Sequence, residues 1–144
     1  MNYRWWLPAF VVAVAATSSM AADTPEAALA AHMRAINSLA TEQLLTTQRF
    51  PFTHLWPDGR ADHVPTAAEF EPIDRTVLGP EWHHTVLDDA KEVARSESAV
   101  TYLISFSRRR ADDTLINSLR AIWIVTGVDG DWRVQFRHGV LPPN

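Results

Sequence analysis

Histidine, arginine and acidic side chains gather in three short stretches of this chain, and each stretch points to a different chemistry. "EWHHTVLDD", residues 81–89, sets His83 beside His84 and ends on two acids, the residue types of a metal centre or an acid–base pair. Neighbours on a strand point to opposite faces, so the two imidazoles cannot hold one metal together. His54 and His63 flank Asp58-Gly59, a hairpin signal, and a turn centred there sets them opposite each other on one face. Two ligands fall short of the three that a catalytic zinc takes, and neither H-E-x-x-H nor a two-histidine, one-carboxylate spacing accompanies them. No metal and no cofactor is expected. Arg108-Arg109-Arg110 could hold an anion, but alternation sends Arg108 and Arg109 to opposite faces, and a solvated hairpin end is the simpler reading.

What positions these groups is a chain that begins with a leader. "MNYRWWLPAFVVAVAATSSMAADTP" runs from Arg4 through an apolar stretch of about a dozen residues, too short to span a bilayer, to small residues suited to cleavage after Ala21. Residues 1–21 are therefore read as a signal peptide and 22–144 as one domain, periplasmic or secreted, with no stable membrane anchor after cleavage. Losing Arg4 leaves 12 basic residues against 17 acidic ones, and this balance argues against a nucleic-acid partner. There is no cysteine, so disulfides and thiolate chemistry are excluded and packing alone must hold the fold.

Thr24-Pro25-Glu26 opens a helix whose Leu29, Met33, Ile36 and Ala40 recur at helical spacing. A break at Asn37-Ser38 leads to a short second helix. Thr66 to Glu69 has the capping-box pattern of a third, with Phe70, Ile73 and Val77 as its apolar stripe and Pro72 as a weak point. From Trp82 onward, β-branched and aromatic residues form four runs separated by "RSES", "ADDT" and "VDGD", an antiparallel meander. Turns centred on Asp112-Asp113 and Asp129-Gly130 collect Tyr102, Ile104, Phe106, Leu119, Ala121, Trp123, Val125, Val134 and Phe136 on one face. Leu103, Ile122, Ile124, Gln135 and Arg137 fall on the other, a mixed face suited to a homodimer contact.

Helices first and a curved sheet last is an α+β layout. With "RAINSLATEQLLTTQRFPFTHLWPDGR", "EWHHTVLDD", "SFSRRRADD" and "IWIVTGVDGDWRVQFR" in this order, the chain resembles the nuclear transport factor 2-like, or SnoaL-like, superfamily over most of its mature length. The resemblance implies a cone of N-terminal helices on a curved antiparallel sheet, with a cavity between them. It also admits ketosteroid-isomerase, cyclase and dehydratase activities, binding modules and dimers packed sheet to sheet. The isomerase pattern puts a tyrosine in the first helix and a paired acid deep in the cone; "AALAAHMRAINSLA" has no tyrosine, and His32 is its only polar aromatic.

If "RSES" turns about Ser96-Glu97, then His83, Thr85, Leu87 and Asp89 join the aromatic face, with Thr85 opposite Arg108 and Leu87 opposite Phe106. A one-residue slip would bring His84, Val86 and Asp88 there instead. In the first register His83, Thr85, Arg108 and Asn117 rim an apolar pocket walled by Phe106, Leu119 and Trp123, a composition suited to a small apolar or amphipathic ligand. Acid–base catalysis on a cyclic or polyketide-like substrate would take Asp89 as base and Tyr102 or His83 as donor. A dimeric interaction module with a filled core is the third reading.

Overall fold

The computed structural model describes residues 21–72 and 75–140. The segment expected to be a leader lies, but for Ala21, outside the described residues, as does Ile73 of the third apolar stripe. Thr24 caps the first helix, its hydroxyl accepting the Ala27 N–H at 3.1 Å, and Pro25 opens α1 (Pro25–Ser38) where its missing N–H costs nothing. Leu29, His32, Met33 and Ile36 form the buried stripe. Leu39, in the left-handed region at φ 54°, ends α1 and turns the chain into α2 (Thr41–Thr47).

Among the described residues the expected third helix is not formed. Thr66 Oγ1 does bond Glu69 Oε1 at 2.8 Å, but only single 3-10 turns follow, Ala67–Glu69 and Arg75–Leu78. Pro72 lacks an N–H and biases Glu71 away from helical angles. Phe70 still packs against the core, while Val77 is half exposed.

Among the described residues six strands follow the helices: β1 (Gln48–Leu55), β2 (Ala61–Val64), β3 (His84–Arg95), β4 (Ala99–Arg109), β5 (Leu115–Val128) and β6 (Asp131–Val140). They form one sheet in the order β2-β1-β6-β5-β4-β3. The sheet is mixed rather than wholly antiparallel, because β1 runs parallel to β6. The core lies between α1 and the concave face, where Leu29, Met33 and Ile36 meet Phe52, Tyr102, Ile104, Trp123, Val125 and Val134. Asn37 fastens the open side: its Nδ2 donates to Thr85 O and its Oδ1 accepts from Thr85 N, both at 2.8 Å.

Bulges decide which residues reach that core. Beside the β3–β4 turn, Arg95 pairs with Val100, a turn one residue later than Ser96-Glu97. Two bulges along β3 offset this, so Thr85 still meets Arg108 and Leu87 still meets Phe106. The first bulge, between Leu87 and Asp89, sets Ala90 against the core and leaves Asp89 exposed opposite Ser105. Asp89 is therefore not on the aromatic face. In the β5–β6 ladder one uncompensated bulge at Gln135 follows the Val125–Val134 pair, so Ile124 faces Phe136 and Trp123 faces Arg137. Phe136 moves to the convex face and Arg137 to the concave one, the reverse of strict alternation. The β1–β2 turn also differs from expectation: Thr53 pairs with His63 and His54 with Asp62, so the two histidines point to opposite faces.

Candidate functional site

The register aligns Thr85, Arg108 and Asn117 in one row and Leu87, Phe106 and Leu119 in the next. Few of these are free to meet a ligand. Thr85 is buried and committed, its Oγ1 accepting from Trp82 Nε1 at 3.0 Å while Asn37 holds its backbone. His83 is exposed and its Nδ1 lies 3.0 Å from His84 Nδ1, which turns it away from the cone. Asn117 is exposed, and Phe106 and Leu119 are half-buried. Arg108 is half-buried without an ion pair among the described residues, and desolvation holds its pKa below the usual guanidinium range. Trp123 is buried as a wall of the cone.

Tyr102 is not available as an acid–base donor. Its hydroxyl donates to Glu26 Oε1 at 2.7 Å, tying β4 to the first turn of α1. Burial and this bond push the phenol above its ordinary range, and the same bond lowers the Glu26 carboxyl. With Asp89 on the exposed side, the proposed acid–base pair is split between the edge of the core and the convex surface.

The polar groups that do converge inside the cone are others. His32, on the buried stripe of α1, is fully enclosed; its ring meets the Trp123 ring edge-on at 5.1 Å, and its Nδ1 lies 2.8 Å from Thr47 Oγ1. Burial first, then Arg137 and His54, hold its pKa well below the ordinary imidazole value, so it is neutral. His54 pairs in the ladder with Arg137 and stacks on Trp56 at 4.1 Å. Burial, then Arg137, brings its pKa down to about 3. The Arg137 guanidinium lies over the Phe52 ring, 5.3 Å from its centroid, and desolvation lowers its pKa to about 10, which leaves it charged at neutral pH. Further along the same face Gln48, buried beside Val134, has neither carboxamide atom bonded. His32 Nε2 and Arg137 Nε are likewise enclosed without partners.

Part of this cluster was legible. A histidine at position 32 inside the Leu29–Met33–Ile36 stripe is a polar group on a core face. Nothing in "RVQFRHGV" announces the bulge that turns Arg137 inward. A depression of about 190 Å³ lies elsewhere, between α1, α2 and Trp132, and is lined by Ala31, Arg34, Gln43 and Thr46.

No family model and no curated protein matches the sequence. Solved structures do match the fold. A nuclear transport factor 2-like protein from Cytophaga hutchinsonii superposes with a TM-score of 0.59 at 14% identity, over 80% of this chain and 93% of its own. A nuclear transport factor 2-like superfamily protein from Salmonella enterica gives 0.60 at 13% identity, over 81% and 87%. A protein of unknown function with a cystatin-like fold from Nostoc punctiforme gives 0.61 at 11% identity, over 81% and 87%. At such identities the likeness establishes the fold and leaves the chemistry to the site.

Proposed function

Starting from a chain with the nuclear transport factor 2-like cone fold, we propose that the protein binds a small organic molecule between α1 and the concave face of the sheet. One observation carries the reading: His32 Nε2, both carboxamide atoms of Gln48 and Arg137 Nε are enclosed without a hydrogen-bond partner among the described residues. Buried polar atoms in folded proteins are nearly always hydrogen-bonded, and leaving one unmade costs about 1–3 kcal/mol. A core meant only to be filled would place apolar side chains at these positions. The aromatic walls Trp123, Phe52 and Phe106 suit an amphipathic guest. An acid–base enzyme built on Asp89 gains no support, since that carboxylate is outside the cone.

Two further features belong to the proposal: export with cleavage after Ala21, and pairing of two copies through Leu103, Ile122 and Ile124, which Phe136 joins on the convex face. Native mass spectrometry of the protein purified from the periplasm tests all three together. The expected species is a dimer of chains beginning at Ala22, each carrying a small mass that is lost on denaturation. Bare protein, with no small molecule co-purifying or rebinding, overturns the binding reading. A monomer overturns pairing, and an uncleaved chain overturns export.

A further inference from the structure

The bulge that turns Arg137 inward is itself held in place. The Gln135 carboxamide accepts from Thr126 Oγ1 at 2.8 Å and donates to Pro51 O at 3.1 Å, bridging β5 and β1 across β6. Bulges are a means of re-aiming a side chain, and this one replaces Phe136 by a guanidinium on the concave face. Arg137 keeps some surface exposure, but its Nε is fully enclosed, and a charge drawn this far out of water is unfavourable unless an opposite charge and hydrogen-bond acceptors meet it. Among the described residues Arg137 makes no ion pair and no hydrogen bond. The Phe52 ring beneath it offers a favourable face but no lone pair for its N–H groups. Its charged and titratable neighbours do not answer it either: His32 and His54 are neutral, and Asp62 is exposed and accepts from Trp56 Nε1 at 2.6 Å.

His32 presents the complementary vacancy. The Thr47 hydroxyl donates to Leu44 O at 3.0 Å, so it meets His32 Nδ1 with a lone pair and the imidazole proton sits on Nδ1. A neutral ring protonated there leaves Nε2 as a bare acceptor, enclosed and without a donor. The cone thus holds a cationic donor lacking an acceptor and an acceptor lacking a donor on either side of Trp123, whose ring meets His32 at 5.1 Å and which pairs with Arg137 in the ladder.

We propose that the ligand is an organic hydroxy acid whose carboxylate receives the Arg137 N–H groups and whose hydroxyl donates to His32 Nε2. A guanidinium fork matches a carboxylate in two-point geometry, and charged hydrogen bonds of this kind are stronger than neutral ones. The inference deepens the small-molecule reading above and rests on it.

Benzoate and benzamide, alike in shape and different in charge, are the probes, followed by the three hydroxybenzoate isomers. Binding is read by NMR from the Arg137 Nε–H, the His32 ring and the Trp123 indole of the wild-type protein, which requires no variant to fold. Benzoate should bind about tenfold or more tightly than benzamide, the preference expected of one charged contact. Arg137→Gln should remove that preference, and one hydroxybenzoate isomer should exceed benzoate in the wild type but not in His32→Phe. Equal binding of benzoate and benzamide at the cone signals overturns the anion assignment and leaves the small-molecule reading standing. A benzoate preference that survives Arg137→Gln also overturns it. The hydroxyl assignment falls if no isomer exceeds benzoate, or if the gain persists in His32→Phe. No change of the cone signals with any of the five compounds overturns the hydroxy-acid proposal; the small-molecule reading falls with it only if the purified protein also carries no ligand.

Discussion

The basic side chains at the β4–β5 hairpin and those inside the cone are treated in opposite ways. At the hairpin Arg110 donates to Glu81 at 2.9 Å, Arg109 lies 3.7 Å from Asp113, and His84 reaches the same carboxylate at 3.2 Å. Water would have solvated these groups in any case, and such surface pairs contribute little. Inside the cone, where a partner matters most, Arg137 has no acid beside it among the described residues and both neighbouring histidines are held neutral. Charges are thus paired where pairing is worth least and unpaired where it is worth most. That is the pattern of a site kept for a guest rather than of a core optimised for stability.

The strongest effect expected on the cone side is from its wall. Trp123→Ala removes a buried indole that touches His32 and faces Arg137 across the ladder, and should cost about 3–5 kcal/mol in urea denaturation through lost burial and the cavity left behind. Ligand binding should fall with it. A loss below about 1 kcal/mol would mean that the cone is not packed around this ring.

Next in size is a gain. An enclosed donor left without an acceptor costs about 1–3 kcal/mol, so Arg137→Met should raise the denaturation midpoint while abolishing the benzoate preference. Stability and binding moving in opposite directions would sharpen the contrast between the clusters. A destabilised Arg137→Met would break it, because the guanidinium would then be a structural element.

Sequence alone could reach the α+β layout, the break after α1 and the ladder partners Thr85–Arg108 and Arg108–Asn117, since helical spacing and turn residues are local signals. It could not count bulges. The β3 register agrees with expectation only because two bulges offset a turn placed one residue too early. A single bulge in β6 has no such partner, and it exchanged Phe136 for Arg137 and with them the chemistry of the cone. Parity alone puts His83 on the rim, yet His83 precedes β3 and turns outward to His84. Gln135 holds its bulge through contacts to β5 and β1, and Pro51 is 84 residues away along the chain.

A smaller effect comes from acid. His54 has a folded pKa of about 3 against an ordinary value of 6.5, so the unfolded chain binds the extra proton first. Stability from this group is therefore present above about 6.5, declines as the pH falls below it, and stops changing below about 3. His32 is shifted in the same direction by burial and adds to the decline. His54→Gln should flatten the fall in urea midpoint between pH 7 and pH 4.5; an unchanged slope would place the acid sensitivity on other groups.

The smallest effects belong to the hairpin cluster. Asp113→Asn removes the carboxylate shared by Arg109 and His84, but Asp113 is 71% exposed and water takes its place beside both cations. The melting temperature should move by no more than about a degree at physiological salt. His83→Ala should be similarly quiet in both melts and benzoate titrations, because the imidazole touches its neighbour rather than the cone. A binding defect in His83→Ala would mean that a guest reaches out of the cone as far as "EWHH", and the division between a solvated rim and a charged interior would have to be redrawn around Arg108, the half-buried cation that lies between them.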